Sequence, residues 1–120
     1  MSKRARQQGE LESLILDTLW NADSPLTSQQ ILEVADPTGE MAVTTVLTVL
    51  SRLADKGLVT RESGEGRTLL FSAVSSREQH AAKLMLSMVA EAGNPALAFS
   101  HFTSGLTPEQ VKQLRASLEG

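Results

Sequence analysis

A short run of threonines followed by an arginine lies near the middle of the chain. Thr45, Thr48 and Arg52 are spaced at i, i+3 and i+7, so a helix would place all three side chains on one face. Threonine has a hydroxyl that can reach a phosphate and a methyl that can pack on thymine, and the forked guanidinium of arginine can read guanine O6 and N7. The pattern therefore predicts a helix face that enters the major groove of DNA. The flanking candidate contacts are Thr44, Ser51 and Lys56.

This interpretation requires the segment 41–56 to be helical. Its many β-branched residues alone would favour a strand. The spacing predicts a helix instead, because the segment is too long for an ordinary strand and several of its larger apolar residues share one helical face. These core-facing residues are Val43, Val46, Leu50 and Leu53, and Gly57 follows as the residue that ends the helix. A helix that only faced solvent would favour alanine, glutamate or lysine over threonine, so DNA binding is the better interpretation.

The elements around this helix follow the order of a winged helix-turn-helix. An amphipathic helix over 10–20 is closed by a tryptophan that we expect to anchor the core, and a capping-box sequence at 27–30 begins a second helix. Two short strands, 58–62 and 68–73, follow the third helix, and the glycines between them form a hairpin loop. The sequence therefore predicts a mainly α-helical fold with a small β-hairpin.

Arg67 lies in the loop of the predicted hairpin, the wing, where it is a candidate contact to the DNA backbone. Two nearby glutamates dilute the positive charge, so a purely structural loop is the alternative. With this wing, the winged-helix DNA-binding domain is predicted to span 9–74, preceded by a basic tail over 1–8. The cations of this tail are Lys3, Arg4 and Arg6.

Three more amphipathic helices are predicted over 75–120, the first of them beginning at a capping box formed by 75–78. Each helix has an apolar stripe that a short helix cannot bury alone. The stripes can pack back onto the first domain or pair with a second copy of the chain, and pairing is the better interpretation because they continue to the last residues. The region 75–120 is therefore predicted to be a helical dimerisation region. Its candidate interface residues are Leu84, Met88, Phe99, Phe102, Val111, Leu114 and Leu118.

Composition excludes several other kinds of protein. The 120 residues contain no cysteine, which rules out disulfides, thiolate zinc sites and thiol nucleophiles. His80 and His101 are isolated, and no phosphate-binding glycine loop or nucleophile elbow is present, so we predict no enzyme activity, cofactor or metal. No apolar run reaches membrane-spanning length and no signal peptide is evident, so we expect a cytoplasmic protein. The net charge of -3 argues mildly against DNA, but positive charges are concentrated in the tail and around the third helix.

The third helix carries the most specific motif of the sequence, T-x-x-T-x-x-x-R-L-x-x-K-G over 45–57. Together with the tryptophan-ended segment 14–20 and the apolar segment 106–118, it resembles the BlaI/MecI-type penicillinase repressor family over nearly the whole chain. The resemblance implies a transcriptional repressor that binds a palindromic operator in double-stranded DNA as a homodimer. It also implies that the C-terminal helices hold the two subunits together.

The resemblance further implies a way of ending repression. In that family the C-terminal helical region is cleaved after a membrane-bound β-lactam sensor protease is triggered. The usual Asn-Phe cleavage pair corresponds here to His101 and Phe102, which marks the candidate cleavage region. The copper-responsive branch of the family has a C-terminal cysteine cluster, which this sequence lacks.

Two other functions fit parts of the sequence. A winged helix can bind a protein instead of DNA, and apolar residues on the exposed face of the third helix would then be expected, for which Leu47 and Val49 are the candidates. A repressor of another winged-helix family would instead hold a ligand between its C-terminal helices, although methionine and phenylalanine at helical spacing are more often core residues. The residues that would line such a pocket are Met85, Met88, Phe99 and Phe102.

Overall fold

The computed structural model describes residues 8–120, with side chains from Gly9 onward. The helices are α1 (Gln8–Asn21), α2 (Ser28–Ala35), α3 (Val43–Asp55), α4 (Arg77–Glu91), α5 (Pro95–Ser104) and α6 (Pro108–Glu119), and the strands are β1 (Val59–Ser63) and β2 (Leu69–Ala73). This order confirms the predicted mainly helical fold with one small hairpin. The cations of the basic tail, Lys3, Arg4 and Arg6, lie outside the described residues.

The described chain forms two compact units. The first ends at His80 and the second covers Ala81–Gly120, so the first turn of α4 belongs to the first unit. The predicted domain limits, 9–74 and 75–120, stay a prediction.

The core of the first unit lies between its three helices and the hairpin. The predicted apolar stripe of α1 supplies Ile15 and Leu19 to this core, and Thr18 is also buried, where its hydroxyl donates a 2.8 Å hydrogen bond to the carbonyl of Leu14. A buried hydroxyl that is satisfied in this way costs little, so the polar residue is tolerated inside. The other buried residues of the cluster are Leu16, Ile31, Val46, Val49, Leu50, Leu53, Val59 and Phe71.

The second helix begins at the capping box that the sequence predicts. The hydroxyl of Thr27 accepts a 3.1 Å hydrogen bond from the backbone N–H of Gln30, and the side-chain oxygen of Gln30 accepts one of 2.9 Å from the N–H of Thr27. Two N–H groups that would lack a partner at the helix start are therefore satisfied, which fixes the entry to α2.

The third helix is confirmed in spite of its β-branched residues. Val46, Leu50 and Leu53 are buried as predicted, but Val43 is only half-buried. Val49, which was a candidate for the exposed face, is buried instead, and that expectation is wrong. The physical reason is position: Val43 is the first helical residue and lies at the margin of the core, whereas Val49 lies mid-helix at i+3 from Val46.

The wing is a short antiparallel hairpin in which Val59 pairs with Ala73 and Ser63 pairs with Leu69. Leu26 bridges the other edge of β2 through two hydrogen bonds with Phe71, of 3.0 and 2.7 Å. This bridge ties the hairpin to the segment before α2. The chain enters the hairpin through Gly57, whose φ of +76° is the left-handed conformation expected of a helix-ending glycine.

The second unit consists of most of α4 with α5 and α6. Side-chain caps begin its helices: Asn94 caps α5, and Thr107 caps α6 with Gln110 in a capping box. At α4 the box is formed by Ser76 and Gln79, one residue later than the predicted start at 75. None of the helices of the described chain combines the length and apolar character that a membrane crossing requires.

Candidate nucleic-acid interface

The exposed face of α3 is hydroxyl-rich and carries one cation and one leucine, and the exposed acid Asp55 lies at its C-terminal end. Its residues follow i, i+3, i+4, i+7 and i+8 spacing, which is one continuous stripe of a helix. They are Thr44, Leu47, Thr48, Ser51 and Arg52, and we call them the α3 face. Thr45, predicted to share this face with Thr48 and Arg52, is half-buried at its edge, because Val49 rather than Val43 completes the buried face.

Thr48 is exposed, but its hydroxyl is already engaged within the helix. It donates a 2.9 Å hydrogen bond to the backbone carbonyl of Thr44 one turn earlier. The hydroxyl proton is therefore not free for a phosphate, while the oxygen lone pairs and the methyl group remain available. Thr48 is consequently better suited to accepting a hydrogen bond or contacting a methyl than to donating to the DNA backbone.

Arg52 is the cation of the α3 face. Within residues 8–120 it is exposed and takes part in none of the ion pairs that hold the first unit together. A guanidinium without a partner among the described residues keeps all five donors for a ligand.

Lys56, the other predicted cation of this helix, is placed differently. Its ammonium lies 2.8 and 2.9 Å from the two carboxylate oxygens of Glu12 on α1, so it joins the end of α3 to the first helix. A DNA contact by Lys56 would have to exchange this carboxylate for a phosphate. The predicted contact stays a prediction, and the structure gives Lys56 a positioning role beside it.

Arg67 in the wing is exposed and lies close to the α3 face. Together with Leu47 of α3, Leu69 of β2 and Thr27 and Ser28 at the start of α2, it lines an open cavity of about 440 Å³. The wing and the α3 face are therefore neighbours in one concave surface of the first unit.

A cluster around Trp20 attaches the start of α4 to α1. The indole N–H donates a 2.8 Å hydrogen bond to the carbonyl of Ser75, and the guanidinium of Arg77 lies 5.1 Å from the ring centroid. Arg77 also forms a 2.6 Å ion pair with Asp17, and the ring of His80 lies 5.3 Å from the indole, centroid to centroid. The sequence predicts only that the tryptophan anchors a core. Its partners lie more than fifty residues away, so no local spacing reveals them.

The second unit has an apolar cavity of about 650 Å³ between α4 and α5. It brings together all four residues of the predicted ligand pocket, Met85, Met88, Phe99 and Phe102, and the last three of them are also predicted interface residues. Leu84 is exposed on α4, Val111 and Leu114 are half-buried on α6, and Leu118 is exposed near the chain end. His101 is exposed on α5.

Comparison with known proteins decides the family. Residues 8–120 match the family described as Penicillinase repressor, which covers the whole described chain. The chain belongs to the penicillinase repressor family. The resemblance that rests on the motif of the third helix is thereby confirmed. As a penicillinase repressor the chain is a DNA-binding transcriptional repressor and not an enzyme.

Two comparisons add detail to this assignment. The penicillinase repressor described here is 34% identical over 113 residues to the transcriptional regulator BlaI of two Mycobacterium tuberculosis strains, an alignment that covers 92% of this chain and 81% of the relative. A solved structure of a mutant of MepR from Staphylococcus aureus is similar with a TM-score of 0.50 at 18% identity, covering 92% of this chain and 73% of that one. The second similarity concerns the fold alone.

Proposed function

We propose that this repressor is a homodimer whose two winged helices bind the two halves of a palindromic operator. In this proposal the second unit forms the dimer interface, and cleavage in α5 ends repression. The observation that carries the proposal is the apolar surface of the second unit. None of the residues of α4, α5 and α6 is fully buried within the chain.

The apolar side chains of this surface are largely exposed on the single chain. Leu86 is 69% exposed, Met88 66%, Phe99 51% and Phe102 44%, and all four line the cavity between α4 and α5. Monomeric soluble proteins rarely expose contiguous apolar patches of this kind. In a two-fold symmetric dimer, the patch of one subunit would pack against the same patch of the other and cover it.

A small-molecule ligand is the competing occupant of this cavity. Its volume lies within the range of ligand sites, but ligand sites also contain a few converging polar groups that fix the orientation of the ligand. The cavity lining consists of alanine, methionine, leucine, valine and phenylalanine side chains only. A protein surface of the same apolar character therefore fits better than a ligand.

For the DNA contacts we propose the α3 face and the wing. Thr44, Thr48 and Arg52 are exposed on α3 and would enter the major groove. Thr45 would contact DNA from the edge of the face. Lys56 and Arg67 would bind the phosphate backbone, Lys56 by exchanging its contact with Glu12.

Salt dependence tests the proposed DNA contacts. With about four to eight phosphate contacts per dimer, log affinity should fall with log salt concentration at a slope of about -4 to -7, because each contact releases condensed counterions. The measurement is a fluorescence titration of a labelled duplex, selected from a random pool, at several salt concentrations.

A variant lacking residues 2–6 is the matched comparison for this titration, since the deletion removes three cations of the tail. Its slope should be flatter. A slope near zero for the intact chain would contradict the proposal and favour a winged helix that binds a protein.

The proposed release by cleavage is supported by the position of the candidate bond. His101 and Phe102 lie near the end of α5, three and two residues before its last residue, Ser104. Proteolysis requires an extended chain, so the end of α5 would first have to open, and helix ends open most easily. The cut would separate Phe102 and all of α6 from the rest of the chain.

A further inference from the structure

We propose that Leu47 contacts the C5-methyl group of a thymine in each half of the operator and so helps to select its sequence. This inference rests on the proposed binding of the α3 face to DNA. From the sequence, Leu47 is a candidate only for the alternative in which the winged helix binds a protein.

The position of Leu47 on the α3 face is the first argument. It lies at i+3 from Thr44 and at i-4 from Ser51, with Thr48 beside it, and its side chain is 41% exposed. A helix that inserts this face into the major groove would bring Leu47 close to the base edges together with its hydroxyl neighbours. An exposed leucine at this point would lose contact with water on binding DNA.

The surroundings of Leu47 argue for a small apolar group as its partner. Leu47 and Leu69, each 41% exposed, line the cavity beside α2, and its other lining residues include Arg67, Thr27 and Thr68. The result is a small apolar spot framed by hydroxyls and a cation. A protein partner would require a broader apolar patch, whereas an apolar spot on a polar surface suits a methyl group on an otherwise polar ligand.

Thymine is the base that supplies such a group. In the major groove each base pair presents hydrogen-bond donors and acceptors, and the C5-methyl of thymine is the apolar feature among the four bases. A leucine cannot hydrogen-bond to a base edge, so it discriminates by contact with this methyl. Leu47 would therefore favour thymine over cytosine at one position of each half-site.

Thr48 offers a competing methyl contact, because its hydroxyl is held by the carbonyl of Thr44. Two variants separate the residues. Leu47→Ala shortens an exposed isobutyl group to a methyl group, and Thr48→Ser removes the methyl while the hydroxyl remains. Circular dichroism of both variants checks that the winged helix is still folded.

The experiment removes the methyl from the DNA. Duplexes that bind the full chain are first selected from a random pool, and each symmetric pair of thymines in the selected site is then replaced by deoxyuridine. Burial of one methyl contributes about 0.8 kcal/mol, so removing one methyl should weaken binding about fourfold. Removing both methyls of a symmetric pair should weaken it about sixteenfold. We expect one thymine pair whose replacement weakens binding by this factor, both for the intact protein and for Thr48→Ser. Replacing the same pair should not change the affinity of Leu47→Ala.

Each other outcome has a definite meaning. The inference is overturned if a selected duplex binds and no thymine pair is sensitive to deoxyuridine, if the selected site contains no thymine, or if the sensitivity persists in Leu47→Ala. Loss of sensitivity in Thr48→Ser alone would assign the contact to Thr48 and also overturn it. Failure to enrich any duplex would contradict the proposed DNA binding itself and would leave Leu47 as a site for a protein partner, which again overturns the inference.

Discussion

A chain that ends at His101 is expected to fold its winged helix and to lose about a hundredfold or more in affinity for the full operator. All buried residues of the core lie between positions 15 and 71, so the truncation leaves them intact. It removes Phe102 and all of α6, which belong to the proposed dimer interface. In a dimer, binding of one winged helix holds the other near the second half-site at a high effective concentration. A monomer lacks this gain in affinity, which is a factor of about 10² or more.

Light scattering and duplex titration of the truncated chain test this prediction together. We expect the full chain to scatter as a dimer and the truncated chain as a monomer, with weak and equal binding to isolated half-sites. A truncated chain that stays dimeric and binds the palindrome as tightly as the full chain would contradict both the interface and the release by cleavage.

A pair of point variants separates loss of the interface from loss of the chain end. Phe102→Glu places a charge on the wall of the apolar cavity, where burial against a second copy would be costly. Ser104→Glu places the same charge on an exposed position of α5 that does not line the cavity. The first variant should become monomeric and bind the palindrome weakly, and the second should behave as the unmodified chain.

Arg52→Ala is expected to weaken binding to the selected operator by about 1–3 kcal/mol per half-site and binding to random DNA much less. Arg52 is exposed on the α3 face and has no ion pair within residues 8–120, so its full guanidinium is available to a guanine. A bidentate contact to one base is lost only where that base is present. Competition titrations against selected and random duplexes measure both losses.

Arg52→Lys is the matched control for this substitution. It keeps the positive charge and replaces the planar fork by a single ammonium group. If Arg52 reads a base, the lysine variant should lose specificity almost as the alanine variant does, while the salt slope stays unchanged. If Arg52 instead binds a phosphate, Arg52→Ala should lose affinity equally on selected and random DNA, and Arg52→Lys should lose little on either.

Helical spacing is sufficient to predict α3, but it does not define which side of the helix is exposed. Val43 and Val49 both fit a face that contains Val46 and Leu50, and the sequence pattern cannot say which of them lies under the core. The difference is decided by tertiary packing, because Val43 lies at the margin of the core and Val49 lies mid-helix. It rotates the exposed face away from Thr45 and towards Leu47.

The apolar stripes of the second unit were also predicted from spacing, whereas their state of burial was not. Burial depends on what packs against a surface, and in the proposed dimer a second copy of the chain packs against Met88 and Phe102. The contacts of Arg77 escaped prediction for another reason. Asp17 is sixty residues away along the chain, and neither residue has a local pattern that points to the other.

The cluster around Trp20 also gives the repressor an internal optical reporter. Trp20 is the only tryptophan of the sequence and there is no tyrosine, so ultraviolet-excited emission above 300 nm comes essentially from this one indole. The indole is half-buried, hydrogen-bonded to Ser75 and flanked by Arg77 and His80, all at the start of α4. Its emission wavelength and intensity therefore report, without any label, whether that turn stays attached to α1 when the protein binds DNA or is cut.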